Sequence, residues 1–153
     1  EGVGGCDGAV PAGGGSEAGG AFDGRGLGAA VGGGGSLGAT LGTAEDPKLP
    51  IGKLDAILIV DAFHEMERPV PLLRNAARAL KPDGRLGIVE FNMAGGGPGP
   101  AMDERVDPER VIREANEAGL QLIARPDLLR YQYMLVFAKQ PAPAARGRES
   151  RKQ

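Results

Sequence analysis

Glycine is spread so unevenly along this 153-residue chain that it divides the sequence before any element is sought. Eighteen of the 27 glycines fall within residues 1–42, leaving nine for the other 111 positions. Glycine loses more backbone entropy on folding than any other residue, and only burial of large apolar groups offsets that loss. Residues 19–42, GGAFDGRGLGAAVGGGGSLGATLG, hold almost nothing large and show no period of 2 or 3.6. Residues 1–40 are therefore expected to be a low-complexity, disordered lead. Residues 140–153 carry Pro, Ala, Arg and Lys without periodicity and are expected to be a disordered tail. The folding material is residues 41–139, enough for part of one α/β domain.

Charge and composition narrow the function. Lys and Arg total 18 against 20 Asp and Glu, so no basic footprint for nucleic acid exists. One Cys and one His exclude a disulfide framework and a multi-Cys/His metal site. The Cys, Cys6, lies in the lead and is read as incidental. The longest strongly apolar run is Ala56–Val60, far short of a membrane span. No basic segment precedes an apolar one in the manner of a signal peptide. A soluble, cytoplasmic chain with neither nucleic-acid nor membrane partners is expected.

The ordered segment alternates strands and helices. Lys53–Val60, KLDAILIV, has the branched apolar run of a strand buried on both faces. Pro69 to Leu80 reads as a helix, with Leu73, Ala76, Ala77 and Leu80 at i, i+3, i+4 and i+7. Lys81-Pro82-Asp83-Gly84 is expected to stop it and turn the chain into the strand Arg85–Phe91. Asn92–Ala101, centred on Gly95-Gly96-Gly97-Pro98-Gly99-Pro100, is read as a mobile connection in preference to a lid. Asp107 as N-cap and Pro108 at the first position open a second helix, with Val111, Ile112 and Ala115 inward and Gly119 closing it. Leu120–Ala124 and Tyr131–Ala138 follow as strands too close for a crossover helix, so they should pair antiparallel. The order implies an α/β sheet with right-handed crossovers.

In such sheets functional groups collect beyond the carboxyl ends of strands. Asp61, His64 and Glu65 crowd together just past the first apolar strand. Histidine exchanges a proton near neutral pH, so Asp61 and His64 are candidate catalytic groups facing one crevice. The competing reading makes Asp61 a turn cap and bonds His64 to main chain. Both readings stay open from the residues alone.

The succession of Leu41–Pro50, KLDAILIVDAFHEM, the helix LLRNAARAL and KPDGRLGIVEF resembles the second half of a class I S-adenosylmethionine-dependent methyltransferase of the small-molecule type. The resemblance runs from Leu41 to Lys139. It implies an incomplete Rossmann-like sheet, strands four to seven with two helices, whose last strand is antiparallel and inserted beside the fifth. It implies S-adenosylmethionine as cofactor and a small-molecule methyl acceptor as partner. Thr43, Ala44 and Glu45 fall at the family's adenine contacts, with Thr43 where an acid is usual. Val60 falls at the methionine part of the cofactor, and Asp61 or His64 is implied as the base.

The family's glycine turn has only Gly24-Arg25-Gly26-Leu27-Gly28 as a counterpart. Asp23 stands one residue before it instead of two, and Ala18–Phe22 is no buried strand. Only 37 residues separate Gly24 from Asp61, too few for the strands and helices that belong between them. Methyl transfer is therefore expected to be impaired for want of the cofactor-binding half, with the lead a truncated or frame-shifted stand-in. The fourth strand is left as an open apolar edge, prone to self-association. The alternative is a non-catalytic interaction module derived from a methyltransferase half. A nicotinamide oxidoreductase fits less well: Leu135 and Phe137 stand where a Tyr-x-x-x-Lys pattern from Tyr131 or Tyr133 would need Lys.

Overall fold

The structure, a computed structural model, describes residues 28–33 and 36–141, with side chains from Thr40 onward. The expectations for the first 27 residues, including Cys6 and most of the Gly24–Gly28 motif, and for the tail from 142 on lie outside the described residues.

Strands β1 (Gly28–Gly33) and β2 (Ser36–Leu41) form an antiparallel ribbon, with Gly28 opposite Leu41 and Gly33 opposite Ser36. No regular element was expected before residue 41. An antiparallel ladder is built from main-chain groups, so the missing hydrophobic period does not forbid it.

The main sheet has the order β3-β4-β6-β5. β3 (Leu54–Val60) passes through a 3₁₀ turn (Phe63–Glu65) and α1 (Pro69–Ala79) to β4 (Leu80–Phe91), which runs parallel to it. α2 (Pro108–Glu117) leads to β5 (Leu120–Ala124). β6 (Gln132–Lys139) is antiparallel to both β4 and β5 and sits between them. This is the incomplete Rossmann-like sheet expected, with the last strand inserted against the direction of the rest. The short β5–β6 link leaves no room for a crossover, so β6 must reverse.

Cross-strand pairing sorts the side chains by face. Ile59, Ile88 and Leu135 form one row, and Ile57, Leu86, Phe137 and Leu122 the next. These rows join one core with Leu72, Leu73, Ala76 and Ala77 of α1 and Val111 and Ala115 of α2. Burying each large apolar side chain there contributes about 1.5–3 kcal/mol. Asp107 caps α2 by accepting from the Glu109 amide at 2.7 Å, and Gly119 ends it with φ of +87°. Gln140 is tied back through its amide to the Gly119 carbonyl, so order extends one residue into the expected tail.

Two expectations are corrected. Lys81-Pro82-Asp83-Gly84 is not a turn ahead of the strand. Leu80 already pairs with Leu54, and the next partners are Ala56 and Arg85, so these residues form an excursion within β4. A Cβ on Gly84 would stand 3.0 Å from the Leu54 carbonyl oxygen, which explains glycine there. Nor is β3 buried on both faces. Both helices cover the Ile88–Leu135 side, and Leu58 and Val60 on the other side are 61% and 49% exposed. β3 is the edge strand of this sheet among the described residues, with β4 as its neighbour.

Candidate active site

β3 and β4 end level, with Val60 beside Val89 and the Asp61 amide donating to the Val89 carbonyl at 2.9 Å. Asp61 then takes a left-handed conformation, φ +47°, which an aspartate tolerates better than most side chains. That bend throws the chain off the sheet and into the 3₁₀ turn. The Asp61 carboxylate is held by Gln132 of β6, whose Nε2 donates to its two oxygens at 2.8 and 2.9 Å.

Glu90 organises the turn from below. It lies on the helix-covered face of β4 and is fully buried. Its Oε1 accepts from the Phe63 amide at 2.6 Å and the His64 amide at 3.3 Å. His64 Nδ1 stands 3.0 Å from Oε2 and 3.2 Å from Oε1. A carboxylate beside Nδ1 favours the tautomer in which Nδ1 donates to it and Nε2 is the acceptor. Tyr133 lies across the strand from Glu90 and donates to the Val106 carbonyl at 2.9 Å. Burial, reinforced by the Glu90 charge, pushes the Tyr133 phenol far above its ordinary range, so it stays neutral.

Asp61 and His64 thus sit at one strand end, each with its own partner. No hydrogen bond joins them among the described residues. His64 does not bond its ring to main chain, as the competing reading had it; its ring is bound by a carboxylate. Glu90 and Gln132 were missed. Glu90 carried a readable signal, because in RLGIVEF it shares the inward phase of Leu86 and Ile88. An acid at such a position needs a buried partner. Gln132 carried no signal, since only the insertion of β6 brings it to Asp61.

Thr43 to Asp46 form a tight turn closed by main-chain bonds, and the Asp46 amide also donates to Thr43 Oγ1 at 3.1 Å. The Glu45 side chain pairs with Arg68, and its carbonyl accepts from Asn75 at 2.9 Å. Lys48, bonded to the Asp46 side chain, holds that carboxyl below its usual range. Thr43 brings no acid, and the Glu45 carboxylate is engaged. No glycine turn between a strand and a helix occurs among the described residues.

The loop after β4 packs against two aromatic rings. Gly97 (φ +70°) lies so close to Tyr131 that a Cβ would come within 2.5 Å of its ring. Gly99 approaches Phe91 equally closely. Arg105 donates to the Asn92 and Pro100 carbonyls at 2.9 and 3.2 Å and stacks over Phe91. The bare glycine backbone is what allows this loop to lie flat on two aromatic rings.

Among the described residues no group of three His, Cys, Asp or Glu side chains could hold a metal ion. No helix among them is long and apolar enough to cross a membrane.

An open sheet with an inserted antiparallel last strand, and polar groups gathered at the carboxyl ends of β3 and β4, make this an incomplete Rossmann-like sheet. The methyltransferase-domain family matches residues 29–88, starting twelve residues before the expected boundary at Leu41. An uncharacterized methyltransferase of Mycobacterium tuberculosis strain H37Rv is 43% identical over 51 residues, covering 33% of this chain and 21% of that protein. A SAM-dependent methyltransferase from Aquifex aeolicus superposes with a TM-score of 0.60 at 21% identity, over 65% of this chain and 53% of its own. A putative type 11 methyltransferase from Sulfolobus solfataricus gives 0.57 at 23% identity, over 65% and 58%. The O-methyltransferase NcsB1 of neocarzinostatin biosynthesis, solved with S-adenosyl-L-homocysteine and 1,4-dihydroxy-2-naphthoic acid, gives 0.52 at 18% identity, over 64% and 32%. The fold is thus similar to that of solved SAM-dependent methyltransferases, and the family match is to a methyltransferase domain over part of the chain. The chain spans about a fifth of the length of the curated relatives it matches and a third to just over half of these structures.

Proposed function

We propose that this chain acts in methyl transfer from S-adenosylmethionine to a small-molecule acceptor, with His64 as the general base. The observation that carries this reading is the buried Glu90 carboxylate on His64 Nδ1 at 3.0 Å, which leaves Nε2 free to accept a proton. The cofactor supplies an activated methyl group on a positively charged sulfur. The protein then has only to align the acceptor and remove its proton. His64 Nε2 takes that proton from an acceptor O–H or N–H, and Glu90 stabilises the imidazolium that forms. Asp61, fixed by Gln132, shapes the acceptor side. Val60 and the Thr43-Ala44-Glu45 turn border the cofactor. The described residues supply one wall of the cofactor site and no nucleotide cradle, so we expect transfer by this chain to be slow.

Calorimetric titration with S-adenosylmethionine, paired with a radiolabelled-methyl assay on phenolic acceptors, tests this. Micromolar binding would favour this reading, and His64→Gln should keep it while losing about 10²–10⁴ in transfer rate, the usual worth of a general base. Equal rates in His64→Gln would remove His64 from the chemistry. Silence in the titration would favour the second reading, an interaction module that docks through the β3 edge. The exposure of Leu58 and Val60 supports that alternative.

A further inference from the structure

Beside Asp61 lies an open cleft that the chemistry above does not use. It has a volume of about 430 Å³ and is formed where the end of β4 meets the β5–β6 link. Asn92, Arg125, Asp127, Arg130 and Gln132 give it its polar groups, and Leu129 and Pro126 give it apolar wall. Gln132 is shared: its side chain borders the cleft and holds the Asp61 carboxylate. The cleft therefore adjoins the candidate site through Gln132.

The two arginines differ in availability. Arg125 is paired with Glu109 at 3.1 Å. Arg130 makes no ion pair among the described residues. Its guanidinium lies 5.2 Å from the centre of the Tyr131 ring, and that ring lies close against the backbone of Gly97. Stacking on an aromatic face orients a guanidinium and leaves its N–H edge directed at whatever lies in its plane. The Arg130 carbonyl is within 3.4 Å of Asn92 Nδ2, which ties the link to the end of β4. Glu109 already matches Arg125, and Asp127 is the lining acid that opposes an anion beside Arg130.

We propose that this cleft binds an oxyanion substituent, carboxylate or phosphate, on a compact apolar acceptor, with Arg130 as the specificity-determining residue. The fork of a guanidinium matches the paired oxygens of either group, and the apolar wall receives the body that bears them. That the ligand is the acceptor rests on the methyl-transfer reading; the oxyanion site itself does not.

The test is binding to the full chain without cofactor, followed by ¹H–¹⁵N NMR with benzoate, phenyl phosphate and benzamide as probes. Benzoate or phenyl phosphate should shift the Gln132 side-chain amide and the Arg130 Nε–H signal, and the stronger of the two identifies the substituent. Benzamide should bind at least tenfold more weakly. Arg130→Gln should weaken the anion at least tenfold with the amide spectrum otherwise preserved, and Asp127→Asn should tighten it two- to threefold. Equal binding of benzamide, equal binding to Arg130→Gln, or no binding by any probe would overturn the assignment. None of these readouts needs turnover, so a failed transfer assay leaves them standing, and their failure leaves the role of His64 intact.

Discussion

Replacing Glu90 by Gln changes one atom type in a fully buried position and sets two hydrogen-bond requirements against each other. If the amide oxygen keeps the place of Oε1, it still accepts from the Phe63 amide, a contact of 2.6 Å in the wild type. The new NH₂ group then faces His64 Nδ1, which already carries a hydrogen. Either the imidazole moves its proton to Nε2, or the side chain rotates and strands the amide of buried Phe63. Hydrogen bonds to a charged acceptor contribute about 1.5–3 kcal/mol and neutral ones about 1, while an orphaned buried donor costs about 1–3 kcal/mol. Both routes lead to a loss of about 1–3 kcal/mol. At about 4–8 °C per kcal/mol for a domain of this size, Tm should fall by about 5–15 °C. Thermal unfolding followed by circular dichroism reads that loss. Long-range ¹H–¹⁵N correlation on the imidazole reads the tautomer, which should switch from Nδ1–H to Nε2–H. An unchanged Tm together with a retained Nδ1–H tautomer would refute the idea that Glu90 sets the state of His64.

Gly97→Ala must push a methyl into the Tyr131 ring at a left-handed φ of +70°, so it should destabilise by about 1–3 kcal/mol in denaturant titration, whereas Gly52→Ala, with a similar φ but open space, should cost less. Tyr133→Phe should lose about 1 kcal/mol with its bond to Val106. The raised folded pKa of Tyr133 means its stabilising contribution is fully present below the unfolded value near 10 and is lost as pH climbs beyond it, so the variant should show a shallower alkaline decline in stability. Leu58→Lys places a charge on the exposed edge strand and should shift any concentration-dependent association seen in sedimentation velocity toward monomer; unchanged association would locate the contact elsewhere.

How much of this was legible beforehand differs by element. α2 was readable to the residue, because its cap, its first-turn proline and its closing glycine are local chemistry that acts over one or two neighbours. The inserted direction of β6 was readable too, since a short link permits one geometry. The ribbon of β1 and β2 was not, because main-chain pairing leaves little trace in a stretch of glycine and alanine. The packing of the Gly95–Pro100 loop was hidden for a related reason: glycine signals freedom in a sequence, and the rings it packs on, Phe91 at the end of β4 and Tyr131 just before β6, are 40 residues apart.

The site divides along the same line. Local pattern alone was enough to place Asp61 and His64 just past a strand end, because strand length and loop chemistry are short-range properties. Which groups face them depended on long-range closure. Glu90 reaches His64 across 26 residues and Gln132 reaches Asp61 across 71, and those contacts exist only because β4 and β6 are neighbours in the folded sheet. The partner of an imidazole biases which nitrogen carries the proton, so the surroundings of His64 were decided by packing, at a distance along the chain that no local pattern can span.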